Sequence, residues 1–213
     1  RVAVFGLGGV GGACAEALCR AGVGRLTLVD NDTVSLSNIN RQIVALHSTV
    51  GQPKTAALRA RLLNINPACD IEEKNLFFDQ STADSIDFSA FDYVIDAIDT
   101  VSAKLLLVER ARAAGTPILC CMGTGNKLDP TRLRISAIEK TSVCPLCRVM
   151  RRELRARGIA GVRVLWSDES PCVPIQQLSE NGRHPPGSVS FVPPVAGMIL
   201  AGQVVRELAG LAG

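Results

Sequence analysis

The decisive stretch is Val4-Phe5-Gly6-Leu7-Gly8-Gly9-Val10-Gly11-Gly12. A short β-type run, residues 2–5, enters it, and a segment rich in Ala and Leu, residues 10–20, leaves it as a helix. Gly6, Gly8 and Gly11 have the spacing of a strand–turn–helix unit that binds a nucleotide. Gly6 permits the tight turn, Gly8 lets a phosphate approach the backbone, and Gly11 lets the helix pack close to the strand. Free amides at the helix start are donors for phosphate oxygens. A second strand, residues 25–29, closes on Asp30-Asn31-Asp32, where Asp30 is placed to accept from a ribose hydroxyl. The motif alone does not choose between NAD, FAD and ATP.

Strand and helix keep alternating to residue 125. Residues 54–63 read as a helix announced by Pro53, and residues 70–75 as an edge-ward strand of mixed polarity. A short helix over 81–85, an apolar strand over 93–97, a helix over 102–114 stopped by Gly115, and a strand over 118–122 follow. This order predicts a Rossmann-like α/β fold, a mostly parallel sheet with helices on both faces. Beyond residue 125 the pattern changes. A strand over 132–138 carries arginines at alternate positions, residues 147–158 form a basic helix, and residues 163–167 a strand. Residues 171–186 have turn residues and little periodicity, so they read as a loop. Residues 192–208 form an apolar helix, interrupted by Gln203 and Arg206 and so packed rather than membrane-spanning.

At 213 residues and 47% hydrophobic content, one domain with one substantial core is expected. Aromatics are 4%, so the core must be built from Val, Ile, Leu and Ala. The chain begins directly on a strand, and a leader before Arg1 is expected. No signal peptide or spanning apolar run is present in the sequence, and the eight cysteines are read as reduced, in the cytoplasm. The net charge of +3 is unevenly spread: residues 148–163 hold six arginines against one acid, Glu153. Such a patch suits a phosphate-bearing macromolecule and equally a solvated helix.

A second cluster narrows the nucleotide. Ser37-Asn38-Ile39-Asn40-Arg41-Gln42 follows the second strand closely, and Lys54 comes thirteen positions after Arg41. A dehydrogenase has no use for such a polar patch, whereas triphosphate oxygens do. Asp99 ends the strand over 93–97, where doubly wound sheets present ligand groups, and a carboxylate there suits Mg2+ on phosphates. Together these residues favour ATP over NAD.

The motifs Gly6 to Gly11, Leu28 to Val34, Ser37 to Gln42, Val50-Gly-Gln-Pro-Lys54, Asn66-Pro67 and Asp96-Ala-Ile-Asp99 resemble the ubiquitin-activating, or ThiF-type, adenylyltransferase superfamily. The resemblance covers residues 1–125 in six separate motifs. It implies that Gly6, Gly8, Gly9 and Gly11 line the phosphates, that Asp30 binds the ribose, and that Asn38, Arg41 and Lys54 contact the triphosphate. Asp32 and Gln42 join them as cofactor-binding residues, Asp99 coordinates Mg2+, and Arg41, Lys54 and Asp99 are the catalytic set. It implies attack of a carboxylate on the α-phosphate to give an acyl-adenylate and pyrophosphate, a reaction that needs charge stabilisation more than a protein base. In the family an arginine near the N-terminus reaches the partner subunit's site.

Gly125 to Arg132, Lys140-Thr-Ser-Val-Cys-Pro-Leu146, Val149 to Arg155 and Ser188 to Gly197 extend the resemblance over nearly the whole chain. These stretches are similar to the tRNA threonylcarbamoyladenosine dehydratase branch. That branch implies a homodimer acting on tRNA that carries threonylcarbamoyladenosine, cyclised by its own carbamoyl group, with a sulfur-transfer protein as a further partner. Residues 1–125 would be the nucleotide-binding core of a single 1–213 domain, and residues 126–213 its substrate-binding and dimer-contributing extension. Arg148, Arg151, Arg152 and Arg155 recur on one side of their helix, where they would meet tRNA phosphates; Lys127 and Arg132 would lie near the substrate.

Cys144-Pro-Leu-Cys147 has the spacing of half a structural zinc site, but a second C-x-x-C is absent. Packing is the main reading. Completion by Cys172 or His184, or a thiol pKa lowered at the helix start, are the alternatives. Cys172, in the C-terminal loop, is a further catalytic candidate by analogy with some members of the branch. His47 and His184 have no triad partner. The competing function is adenylation of the C-terminus of a ubiquitin-like sulfur carrier; the missing cysteine pair and the arginine-rich helix argue against it. A nucleotide-binding scaffold and an oxidoreductase leave Arg41 and Lys54 unexplained.

Overall fold

The computed structural model describes residues 1–172 and 187–211. The sheet has seven strands: β1 (Val2–Phe5), β2 (Arg25–Val29), β3 (Asp70–Lys74), β4 (Tyr93–Asp96), β5 (Ile118–Cys121), β6 (Leu133–Ala137) and β7 (Arg163–Ser167). Their order is β3-β2-β1-β4-β5-β7-β6, parallel throughout except for the antiparallel pair β6–β7. The expected mostly parallel α/β sheet is therefore present. The last strand in the chain, β7, inserts between β5 and β6.

Among the described residues five α-helices cover it: α1 (Gly9–Arg20), α2 (Lys54–Ile65), α3 (Val101–Ala113), α4 (Pro145–Ala156) and α5 (Val192–Leu208). The period-2 alternation of the strands divides the core. Val2, Val4, Leu26 and Leu28 pack with Leu18, Leu58, Leu62, Leu200 and Val204, so α1, α2 and α5 share one face. Ala3, Phe5 and Val94 pack with Ala103, Leu107, Phe78 and Phe88 on the other. There a third cluster joins α3 to α4 through Val108, Cys120, Cys147, Met150 and Trp166. β1 is central and wholly buried, whereas the edge strands carry charge, at Glu72 and Glu73 on β3 and Arg134 on β6. Charged edges discourage pairing with other chains.

Helix α5 lies hard against α1. A Cβ at Gly197 would sit 2.3 Å from the Val10 carbonyl oxygen, so glycine is needed for that approach. No helix among the described residues is long and apolar enough to cross a membrane. The expected loop over 171–186 and His184 fall almost entirely outside the described residues.

Candidate active site

The chain runs from β1 to β2 on one side and reaches β4 on the other, so β1 is where the strand order reverses. The loops after β1 and β4 diverge there and leave a crevice beyond the strand ends, the place where doubly wound sheets bind ligands. It holds a cavity of about 450 Å3 lined by Gly8, Asp30, Asn38, Arg41, Lys54 and Asp99 among others.

Gly6 forms the turn with φ +84°, and a Cβ there would lie 2.6 Å from the Ala97 carbonyl oxygen. Both the conformation and the close approach demand glycine. Gly8 caps α1 without a side-chain acceptor, so the first amides of the helix are left for a ligand. Gly9 is covered by Pro193 at the start of α5 and by the Arg41 backbone. Gly11 does not line the cavity. Its added Cβ would fall 1.7 Å from the Gly6 carbonyl oxygen, so its role is helix–loop packing rather than phosphate contact.

Asp30 braces this loop: its Oδ2 accepts from Leu7 N at 2.6 Å and its Oδ1 from Asp32 N at 2.8 Å. Each oxygen keeps a lone pair for a ligand hydroxyl. The segment after β2 folds back on itself, Val34 N donating to Gln52 O and Gly51 N to Val34 O. This return brings Lys54, buried at the first position of α2, to Asp32, with Nζ 2.7 Å from Oδ2. Asn38 and Ser35 form a capping box, which shapes the turn that carries Arg41. Arg41 Nη1 donates to Ser37 O and Asn40 Oδ1, at 3.0 and 2.9 Å. Asn40 Nδ2 in turn donates to Ser188 O, tying this turn to the segment before α5. Gln42 is buried, and its Oε1 has no partner among the described residues.

Asp99 is exposed in the cavity, and among the described residues only the Thr100 hydroxyl donates to its Oδ1, at 3.4 Å. A carboxylate with open oxygens beside phosphate-binding amides fits Mg2+, which commonly takes one or two carboxylates and completes its shell with phosphates and water. Arg41, Asp99, Thr124 and Ser188 also line a second cavity of about 480 Å3 that reaches Gly123, Lys127, Cys144 and Pro171. Lys127 is buried and donates to the Glu169 carbonyl oxygen. Asn126, in the left-handed region at φ 56°, accepts from Cys172 N and Gly187 N and so holds both chain segments at the cavity rim. Cys172 itself is exposed, one residue beyond Pro171.

The other expected residues lie elsewhere. Arg132 is held by Asp168, which Arg134 also grips. On α4, Arg148, Arg152 and Arg155 are exposed, but Arg151 turns inward to donate to Thr141 O and Oγ1, both at 2.8 Å. The expected face of four free arginines is thus three, and Arg152 is shared with Glu153. His47 is exposed outside both cavities.

A family model described as the ThiF family matches residues 1–212. The chain belongs to the ThiF family. It is 44% identical to the tRNA threonylcarbamoyladenosine dehydratase of Bacillus subtilis, over 97% of this chain and 86% of that protein. The Escherichia coli tRNA N6-threonylcarbamoyladenosine dehydratase, crystallised in complex with AMP, superposes with a TM-score of 0.88 at 31% identity, over 98% of this chain and 85% of that one. Its complex with ATP superposes with a TM-score of 0.86 at 30% identity, over 98% and 85%.

Within this ThiF-family frame, Cys144 is the group whose setting a spacing rule could not show. The helix starts two residues earlier than expected, at Pro145, a favoured first helical residue, which makes Cys144 its N-cap. Pairing with Cys147 holds the Cys144 thiol below the usual thiol range, against the opposing effect of burial. Cys147 is pushed up by the same pairing. No third Cys, His, Asp or Glu joins them in a metal-holding group among the described residues. Burial pushes the Cys14 and Cys120 thiols up. An ordinary thiol loses about tenfold of its thiolate per pH unit below ~8.5. Alkylation of Cys144 is therefore expected to persist from about pH 8 to about pH 6, while Cys14 and Cys120 stay unlabelled. Peptide mass spectrometry reads this directly, and a tenfold-per-unit fall at Cys144 would contradict the anionic setting.

Proposed function

We propose that this chain uses ATP to adenylate the threonyl carboxylate of threonylcarbamoyladenosine in tRNA and closes it to the cyclic, dehydrated nucleoside. The observation that carries this reading is that the two cavities are neighbours sharing Arg41, Asp99, Thr124 and Ser188 in their walls. The phosphate side holds Gly8 and Lys54, the far side holds Lys127, and Arg41 and Asp99 line both. The Bacillus subtilis relative that spans nearly the whole chain bears the name of this activity.

In the first step a carboxylate oxygen attacks the α-phosphorus and pyrophosphate leaves. In the second the substrate's own carbamoyl group attacks the acyl carbon and AMP leaves with the former carboxylate oxygen, so the nucleoside loses one water. Arg41 and Lys54 would offset the charge that builds on the phosphate oxygens, and Asp30 would hold the ribose. Leu76 and Phe77 give the cavity an apolar wall for the base. Mg2+ held at Asp99 would supply further neutralisation of the triphosphate. The exposed Arg148, Arg152 and Arg155 would meet tRNA phosphates without reading sequence. Residues 126–213 would form the substrate-binding part and contribute to a homodimer; the exposed Met198 and Leu208 on α5 support that contact. A sulfur-transfer partner would reach the exposed Cys172, and the setting would be the cytoplasm.

The test is to incubate the protein with ATP, Mg2+ and tRNA bearing threonylcarbamoyladenosine and to weigh the nucleoside. Loss of one water, dependent on ATP, is expected. An unchanged mass, together with adenylation of an added ubiquitin-like carrier, would replace this reading with the carrier one.

A further inference from the structure

Helix α3 carries a lysine where its apolar neighbours predict a hydrophobic residue. Lys104 stands in the run Ala103-Lys104-Leu105-Leu106-Leu107 and is fully buried, as is Asp96 at the end of β4. The Lys104 ammonium donates to Ile98 O at 3.0 Å and Cys121 O at 2.7 Å and forms an ion pair with Asp96 Oδ2 at 2.9 Å, without hydrogen-bond geometry to that oxygen. Asp96 Oδ1 accepts from Ile98 N at 3.1 Å. A buried ion pair is a weak source of stability, because desolvation offsets most of the attraction, and apolar residues of similar size commonly serve as well. What this pair does supply is geometry. Its carbonyl contacts tie the loop after β4 to the end of β5.

That loop carries Asp99. On its near side, Ala97 N donates to Phe5 O at 2.8 Å and the Ala97 carbonyl presses on Gly6. On its far side, Thr100 O accepts the Lys104 amide at 3.0 Å. Ile98 lies between, held by its amide to Asp96 and by its carbonyl to Lys104. Asp99 is therefore the one residue from 97 to 100 with no such backbone tie among the described residues, and its neighbours fix where its carboxylate stands. Cys121, the third anchor, leads into Met122, Gly123 and Thr124, which line the second cavity.

We infer that Lys104, with Asp96, is a positioning residue that sets the Asp99 loop against the phosphate loop and the substrate-side wall, without touching either substrate. The inference rests on the reading of Asp99 as a Mg2+·ATP ligand. Lys104→Met keeps the length of the side chain and removes the ammonium; adding Asp96→Asn removes the stranded carboxylate charge. The double variant is expected to fold, because no unpaired charge remains buried. Calorimetric titration of ATP at graded Mg2+ is expected to show a roughly 10- to 100-fold higher Mg2+ requirement in both variants, the range seen when outer partners of a ligand are lost. AMP affinity is expected to stay near that of the wild type, since the glycine loop and Asp30 are untouched. Hydrogen exchange at the Ile98 amide, now bonded to Asp96, should accelerate, and Lys104→Arg should restore part of the Mg2+ response. A folded double variant with wild-type Mg2+ dependence and unchanged exchange would overturn the inference. A wild-type protein that binds ATP without any response to Mg2+ would instead overturn the assignment of Asp99.

Discussion

Replacing Gly11 by alanine is expected to abolish ATP binding and to cost on the order of 3 kcal/mol or more of stability. The added methyl would stand 1.7 Å from the Gly6 carbonyl oxygen, 2.9 Å from the Gly6 carbonyl carbon and 3.2 Å from Ala97 Cβ. None of these atoms belongs to a flexible side chain, so α1 must move away from the loop. The movement would pull the first helical amides out of the crevice, and α5 resists it through the contact of Gly197 with Val10. Gly24→Ala is the control, because a Cβ there meets nothing within 4 Å. Urea denaturation gives the stability and calorimetry the ATP affinity. A Gly11→Ala protein that binds ATP as the wild type does would show that the loop tolerates displacement.

Arg41→Ala is expected to lower the rate of ATP–pyrophosphate exchange by about 100- to 1000-fold, the usual result of removing one preorganised donor from a developing oxyanion. The fold should survive. Arg41 is partly exposed, and its guanidinium bonds go to Ser37 O and Asn40 Oδ1 in an exposed turn. The loss should appear in kcat more than in KM, because ground-state phosphate binding is shared with Lys54 and the α1 amides. Arg41→Lys should recover only part of the rate, since an ammonium cannot present the guanidinium fork. Exchange within about threefold of wild type in Arg41→Ala would remove Arg41 from the α-phosphate.

Much of this was legible in the amino-acid sequence because the first half of the chain has short links and regular periodicity. The glycines dictate the turn after β1, and the acid after β2 and the Asp96 to Asp99 phrase fall at strand ends by the rules of the fold. The second half was less legible for physical reasons. Which strand neighbours β5 depends on long-range pairing, so nothing local in residues 163–167 reveals that β7 inserts ahead of β6. The inward turn of Arg151 depends on Thr141, ten residues earlier, and periodicity alone reports only which side of a helix a residue occupies. Lys104 did carry a local signal, a lone cation among Ala103, Leu105, Leu106 and Leu107. Helical periodicity alone does not tell a buried, paired lysine from a solvated one. Asn126 and Ser188 fall within stretches that carry the family resemblance, but the pocket role of Thr124 had no sequence signal beyond its small polar character.

The packing of α5 on α1 has a consequence for biosynthesis. The helix that opens the nucleotide fold finds its main helical partner about 180 residues later. At ordinary synthesis rates of about 5–20 residues per second, the apolar face of α1 waits roughly ten to forty seconds for α5. In the folded chain Val10, Ala13 and Cys14 are the α1 residues that meet Gly197 of α5. The strands β1 to β5 can pair early, but α1 gains its main helical partner only after residues 192–208 have been made.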